Sequence, residues 1–297
     1  MSLNKIKIFK IKNVKISLFF VNYRGLNVLN YLLKKKLNIT HVFLSKRNLN
    51  NKIINKVKKT KITFDLIRNL KNKKVYKHLK YKTDLGIICG FPHIFNKSLI
   101  DLCSLGILNC HAGKLPEYRG GSPLNWQIIN NEKYIGISVI KIDSGIDTGD
   151  IVTAKKFRLL KRYNIKDVHQ IVNRKFPILV HNSIKKIVAR EKLIKQNNKC
   201  SKYYNQRTIK HSEINFKKMN AKELDCFTRA LNDPYPNAYF YYKNRIIKVQ
   251  KIKIKKINLK PKEVRILDHN FYVGCKKGAV KLVDYKIKMK SSKPYLI

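Results

Sequence analysis

Residues 14–44, VKISLFFVNYRGLNVLNYLLKKKLNITHVFL, decide the fold class of this chain. The run at 14–20 is apolar and rich in residues that favour strands, and residues 39–44 repeat that character. Between them, Gly25 precedes an apolar-periodic stretch at 26–33 that predicts a helix. Strand, turn, helix and strand in this order are typical of a βαβ unit, which builds a parallel sheet.

The same alternation continues along the chain as far as residue 195. Apolar runs predict strands at 85–89, 107–110 and 135–142. Periodic stretches predict helices at 75–81, 96–103, 124–130 and 168–195, whereas the Lys- and Asn-rich residues 46–61 predict a polar connection. We therefore expect an α/β, Rossmann-like domain, with a mostly parallel sheet and helices on both faces.

The character of the sequence changes after that point. Polar residues without periodicity at 196–208 predict a linker between a catalytic domain at 1–195 and a second domain at 209–297. A short helix is predicted at 221–231, and alternating runs predict strands at 239–242, 246–254, 264–267, 272–275 and 279–283. The second domain is therefore expected to be a small β-rich domain of OB-like barrel type.

The 297 residues include 66 Lys and Arg against 17 Asp and Glu, a net charge of +49. A basic balance usually indicates phosphate-bearing partners. Most of this charge is lysine, however, and Lys, Asn and Ile are the residues with A/T-rich codons. Codon drift therefore explains the excess as well as a nucleic-acid partner does, and the charge leaves the partner open.

Other features of the composition exclude several classes of protein. A hydrophobic content of 44% excludes a disordered chain. The six cysteines lack C-x-x-C spacing, which argues against a zinc cluster and fits a reducing cytoplasm. There is no apolar run of about 18 residues, and the basic N-terminus is not followed by the apolar segment of a signal peptide. We expect a cytoplasmic protein without a membrane span.

Reactive polar side chains concentrate between residues 107 and 150. Asn109 and His111 end a predicted strand, and positions i and i+2 share one face, so both can point into a cleft at the carboxyl end of the sheet. Two such donors around a carbonyl oxygen can stabilise an oxyanion. Asp147, in the turn at 143–150, is expected to lie near His111 and orient its ring. A structural histidine and a plain turn remain open, and the residues alone indicate an α/β enzyme of acyl or amine chemistry.

Residues 108–152 carry four ordered motifs that resemble the 10-formyltetrahydrofolate-dependent formyltransferases, including methionyl-tRNA formyltransferases and sugar-nucleotide N-formyltransferases. The motifs are N-x-H, L-P-x-[YW]-R-G, G-[IV]-[ST] and D-x-G-x-D-[TA]-G, at 109–111, 115–120, 136–138 and 143–149. RALNDPYPNA at 229–238 resembles the C-terminal domain of the same family. Together these matches cover most of residues 85–250.

The resemblance implies transfer of a formyl group from 10-formyltetrahydrofolate to a primary amine, with no metal. Asn109 and His111 match the pair that stabilises the tetrahedral intermediate and moves a proton, and Asp147 matches the aspartate that acts on the histidine. Two loops are implied to bind the folate co-substrate. They contain His93, Ile94 and Phe95, whose backbone groups would receive the pterin ring, and Asp143, Ser144, Gly145, Ile146 and Asp147 on the opposite wall.

The sequence favours a nucleotide-linked amino sugar as the source of the acceptor amine, with the amine of Met-tRNA as the alternative. Residues 45–59 lack the P-D-x-x-x-G-R-G-type insertion of tRNA-modifying members, which favours a nucleotide-linked amino sugar. The basic surface and the second domain favour the alternative, the amine of Met-tRNA. Both acceptors are anionic. Three departures from the family pattern are Gly113 in place of serine, Lys114 in place of leucine, and Gly121 where some sugar-modifying members have arginine.

Two further functions are open. A non-catalytic RNA-binding derivative of the fold is disfavoured because Asn109, His111 and Asp147 are all present. Hydrolysis of formyltetrahydrofolate is disfavoured by the C-terminal match. The sequence leaves the oligomeric state open.

Overall fold

The structure is a computed structural model that describes residues 11–289. Its described part divides into two compact units. The first comprises residues up to Gly120, Gly136–Phe157 and Gln170–Tyr203, and the second comprises Gly121–Ile135, Arg158–His169 and the chain from Tyr204 onward. Each unit has its own sheet and is described by itself.

The first unit is built on a seven-stranded sheet in the order β3-β2-β1-β4-β5-β7-β8. These strands are β1 (Ile16–Phe20), β2 (Ile39–Ser45), β3 (Phe64–Ile67), β4 (Leu85–Cys89), β5 (Ile107–His111), β7 (Tyr134–Lys141) and β8 (Ile151–Arg158), and β6 (Arg119–Gly120) lies outside this sheet. The pairs β1–β2, β2–β3, β1–β4 and β4–β5 are parallel, and β5–β7 is antiparallel. The predicted Rossmann-like, mostly parallel sheet is confirmed.

Helices connect these strands. In the first unit these are α1 (Tyr23–Lys34), α2 (Asn51–Lys58), α3 (Lys73–Lys82), α4 (Lys97–Ile100) and most of α6 (Ile165–Val188). Helix α5 (Pro123–Ile129) belongs to the second unit. The Asn22 side chain caps α1 by accepting hydrogen bonds from the backbone of Arg24 and Gly25. A Cβ at Gly25 would collide with the Phe20 side chain, so glycine permits the close approach of α1 to β1.

Among the described residues, no helix is long and apolar enough to cross a membrane.

The sequence interpretation was wrong for residues 46–61, which contain α2 rather than only a polar connection. Ile53 and Val57 lie one helical turn apart and are both buried, so two apolar residues are enough to pack this otherwise polar helix against the rest of the unit. Strands β3 and β8 were also missed. In β3 only Ile67 is buried, and the second half of β8 is mostly exposed, so neither strand shows a strong apolar signal.

The second unit contains the predicted β-rich domain, which the structure confirms. Its antiparallel sheet has the order β10-β11-β14-β13-β12. The strands are β10 (Ala238–Tyr242), β11 (Arg245–Lys255), β12 (Val264–Leu267), β13 (Asn270–Gly274) and β14 (Ala279–Met289), preceded by the two-residue β9 (Tyr203–Tyr204). Helix α7 (Ala221–Ala230) begins at a capping box between Asn220 and Glu223, and it buries Leu224 and Phe227 against the core of this sheet.

We predict that His78, on α3, makes the stability of the protein sensitive to acid. Burial, and to a smaller extent the charge of His41, lower the pKa of His78 to about 4. The unfolded side chain has a pKa of about 6.5, so the unfolded state binds a proton first. The free energy of unfolding that His78 contributes is fully present above the unfolded pKa, and it should be lost as the pH falls from there toward the folded pKa.

The measurement is the free energy of unfolding in urea at pH 7.5 and pH 5. His78→Gln should lose less stability over this interval than the unmodified protein, whereas the control His269→Gln, at an exposed position, should lose as much. An equal loss in both variants would contradict the assignment.

Candidate functional site

The carboxylate of Asp147 lies at the centre of the predicted site. Its Oδ1 accepts a hydrogen bond from Asn109 Nδ2 at 3.3 Å and lies 3.3 Å from His111 Nδ1. Its Oδ2 accepts a hydrogen bond from the backbone N–H of Gly120 at 2.9 Å. The structure therefore brings together all three residues that the sequence predicts to be catalytic, at the carboxyl end of β5.

His111 is held at both ring nitrogens. While Nδ1 faces Asp147, Nε2 donates to the backbone carbonyl of Tyr118 at 2.6 Å. The side chain is only 6% exposed, and a neutral imidazole can donate from only one nitrogen at a time. Two acceptors on opposite sides of the ring therefore fix its orientation.

The environment of Asp147 keeps its carboxyl ionised. Burial alone would raise the pKa of Asp147, because a charge is unfavourable away from water. The hydrogen bond and charge of His111 outweigh that effect, with further hydrogen bonds from Gly120 and Asn109, so the pKa lies below its ordinary value. The site thus contains a stable negative charge next to a titratable ring.

The turn that presents Asp147 has a well-defined internal structure. Asp147 has a φ of +55°, in the left-handed region that aspartate tolerates better than most residues. Asp143 Oδ1 accepts hydrogen bonds from the Gly145 backbone at 3.1 Å and from the Thr148 hydroxyl at 2.6 Å. A Cβ at Gly149 would collide with the Lys141 carbonyl, so this position requires glycine.

The residues that the sequence assigned to folate binding have contrasting environments. Ile94 is 77% exposed, whereas Phe95 is buried and packs edge-on against Phe19 with ring centroids 5.0 Å apart. His93 Nε2 lies 2.7 Å from Ser45 Oγ, and burial together with the charge of Arg47 lowers the pKa of His93. Their role in binding folate stays a prediction.

On the opposite wall, Asp143 and Gly145 belong to the turn just described. Ser144 is exposed, and Ile146 exposes 47% of its surface. An apolar side chain on an exposed turn can cover a planar ring, so Ile146 suits the predicted contact with folate.

Several residues that shape the site were missed. Gly120 and Tyr118 contribute only backbone groups, which leave no side-chain signal in a sequence. Gln196, inside the predicted linker, donates to the Asp147 and Gly149 carbonyls. A glutamine in a polar segment is unremarkable, so only the structure reveals this contact. Within residues 11–289, no group of three or more His, Cys, Asp or Glu side chains is placed to hold a metal ion.

Two family models match the sequence. The formyl transferase model matches residues 23–183, and the model of the formyl transferase C-terminal domain matches residues 208–295. The chain belongs to the formyl transferase family. The match to the first model includes Asn109, His111 and Asp147, and the match to the second begins within the predicted linker.

The curated relatives carry one recurrent name. A methionyl-tRNA formyltransferase from Clostridium beijerinckii is 30% identical over 237 residues, which is 78% of this chain and 73% of the relative. A methionyl-tRNA formyltransferase from Rickettsia canadensis is 32% identical over 172 residues. That second match spans 57% of this chain and about half, 55%, of the relative's length.

Among solved structures, a 4-N formyltransferase from Francisella tularensis is similar with a TM-score of 0.65 and 25% sequence identity. The similarity covers 77% of this chain and 93% of that protein. Sequence and structure comparisons therefore agree on the family.

We predict that Gly113 cannot be replaced without moving His111. A Cβ at this position would collide with both His111 Nε2 and the Tyr118 carbonyl, the two atoms that form the 2.6 Å hydrogen bond. Gly113→Ala should therefore break that bond, and overpacking of this kind costs about 1–3 kcal/mol.

The checks are urea unfolding and the NMR shifts of the His111 ring nitrogens. Lys114→Leu, at the half-exposed neighbouring position, is the matched control. It should change the free energy of unfolding and the His111 shifts much less than Gly113→Ala does. Unchanged His111 shifts in a folded Gly113→Ala protein would show that the ring does not depend on this glycine.

Proposed function

We propose that this protein transfers a formyl group from 10-formyltetrahydrofolate to the amino group of methionine on tRNA. The observation that carries the reaction type is the largely buried Asp147 carboxylate between Asn109 and His111. The acceptor is supported by the curated relatives and by a basic, aromatic surface on the second unit.

The chemistry follows from the geometry of the three side chains. As the amine nitrogen bonds to the formyl carbon, negative charge builds on the formyl oxygen, where an N–H of Asn109 would stabilise it, joined by the Nε2–H of His111 once that group turns from the Tyr118 carbonyl to the substrate. The bond from the formyl carbon to the folate nitrogen then breaks as His111 gives its Nε2 proton to that nitrogen. The amine nitrogen loses one proton, which passes to the vacated Nε2 and restores His111. Asp147 holds the ring and balances its charge throughout.

The folate co-substrate would lie between the two predicted loops. The exposed Ile94 and Ile146 offer apolar contacts for a flat ring, and the backbone at 93–95 offers polar groups. Arg47, near His93, adds positive charge for an anionic co-substrate.

The sheet of the second unit carries a row of residues suited to RNA. Tyr239, Lys248 and Lys286 are paired side by side across β10, β11 and β14, and Tyr241 and Lys288 lie in the neighbouring row. Burial lowers the pKa of Lys248, and the charges of Lys288 and Lys286 lower it further, so like charges crowd this face. Lysines neutralise phosphates and tyrosines stack on bases, which is the combination that single-stranded acceptor ends require.

A nucleotide-linked amino sugar is the second candidate acceptor. It is favoured by residues 45–59, where the structure has the short helix α2 and the sequence lacks the insertion of tRNA-modifying members. One assay that supplies 10-formyltetrahydrofolate with either Met-tRNA or a panel of amino-sugar nucleotides decides between the two.

We predict that His111→Ala lowers kcat by at least about 10²-fold, since it removes both a donor to the oxyanion and the proton carrier. Folate affinity, measured by fluorescence titration, should change little because His111 belongs to neither predicted folate loop. Asp147→Asn should also lower kcat, but Asp147 is part of a predicted folate loop, so its folate affinity should fall as well. The exposed His269→Gln serves as the control. Turnover close to that of the unmodified protein in His111→Ala would refute the mechanism.

We also predict that the basic face of the second unit sets the affinity for tRNA. Changing Lys248, Lys286 and Lys288 together to glutamine should weaken tRNA binding and reduce its dependence on salt, because fewer counterions are released. The matched control replaces three exposed lysines of the first unit, Lys52, Lys58 and Lys71, with glutamine. If both triple variants bind tRNA with the same salt slope, the face does not contact tRNA.

A further inference from the structure

One side chain, Gln196, joins the two parts of the chain that meet at the Asp147 carboxylate. Its Nε2 donates to the Asp147 carbonyl at 2.9 Å and to the Gly149 carbonyl at 2.7 Å. Its Oε1 accepts two hydrogen bonds from Arg119, from Nε at 3.1 Å and from Nη2 at 2.9 Å. The amide thus uses both of its N–H donors and both lone pairs of its oxygen.

The two groups held by Gln196 are the ones that define the environment of the carboxylate. On one side is the turn that carries Asp147 itself, in the left-handed region at φ +55°. On the other side is Arg119, whose neighbour Gly120 donates its backbone N–H to Asp147 Oδ2. Gln196 therefore fixes the carboxylate and one of its donors with respect to each other.

Arg119 could not by itself fix the Asp147 carboxylate and the Gly120 N–H with respect to each other. It is only 8% exposed, and the second acceptor of its Nη2, at 2.9 Å, is the amide oxygen of Asn198. A buried guanidinium depends on such charge-assisted hydrogen bonds, so the loss of the Gln196 oxygen would loosen Arg119, and the loss of the Gln196 amide nitrogen would loosen the turn.

We propose that Gln196 is a positioning residue for the proposed formyl transfer: its amide ties the Asp147 turn to Arg119 and so sets the distances from the Asp147 carboxylate to His111 and Gly120. This inference rests on the proposed function of the same site. Gln196 touches neither of the reacting groups and acts only through Asp147 and Arg119.

Two substitutions test the contributions of the amide oxygen and the amide nitrogen of Gln196. Gln196→Glu keeps an oxygen for Arg119 but loses both donors to the turn, while Gln196→Leu loses all four hydrogen bonds. Asn198→Ala is the matched control, because it removes an acceptor of Arg119 and leaves the turn bonded. Since a displacement of about 1 Å can cost about 10²-fold in rate, kcat should fall at least about 10-fold in Gln196→Glu and by less than about twofold in Asn198→Ala.

The pH dependence distinguishes positioning from a general loss of structure. The groups that face the Asp147 carboxylate are the His111 ring, the Asn109 amide and the Gly120 N–H, and together they lower the pKa of Asp147. If the turn moves, these contacts lengthen and burial dominates, so the pKa of Asp147 should rise. The acid limb of kcat/KM should then shift to higher pH in both Gln196 variants and stay in place in Asn198→Ala.

A readout without turnover keeps this inference separate from the proposed function. The titration of the Asp147 carboxyl carbon, followed by ¹³C NMR in the free protein, should move to higher pH in Gln196→Glu and also in the uncharged Gln196→Leu, which excludes the new charge of glutamate as the cause. If both shifts occur but no acceptor is formylated by the unmodified protein, the positioning stands and the proposed function fails. If Gln196→Leu folds with an unshifted Asp147 titration and unchanged kcat, the positioning role is overturned. Should Gln196→Leu not fold, Gln196→Met, which is also uncharged and is similar in length to glutamine, takes its place in the same comparison.

Discussion

The need to keep one ionised carboxylate away from water governs the organisation of the first unit. A buried carboxylate is expensive unless each oxygen is hydrogen-bonded. Asp147 meets that condition through Asn109 and His111 at one oxygen and Gly120 at the other. These partners come from β5 and β6, and the loop between the two strands supplies the Tyr118 carbonyl that holds the far side of the imidazole. The arrangement of strands, turns and glycines around the site can be understood as support for this charge.

The parts of the site that could be predicted from sequence are those with a regular geometric rule behind them. Asn109 and His111 share a face because a strand has a period of two, and the end of β5 is where a parallel sheet opens to ligands. The apolar runs that became β1, β2, β4 and β5 are buried throughout most of their length, so periodicity identified them. Helix α2 and strands β3 and β8 bury few residues, and their sequences therefore resemble those of loops.

The contacts that could not be predicted are those made by the backbone or by residues distant in sequence. Gly120 and Tyr118 act through groups that every residue possesses. Gln196 is separated from Asp147 by 49 positions, and neither residue type nor spacing indicates that they meet. The family resemblance supplied roles for the side chains of the motifs, but it could not supply the order in which hydrogen bonds connect them.

The contact at Gly113 has an evolutionary consequence. The family often has serine here, yet in this chain the space for a Cβ is taken by the imidazole of His111 and the carbonyl of Tyr118. A serine side chain here would collide with the ring and the carbonyl, so the glycine and the position of the ring depend on each other. A larger residue at this position fits only together with a second change that moves the imidazole, which makes 111 and 113 positions that tolerate substitution as a pair and not singly.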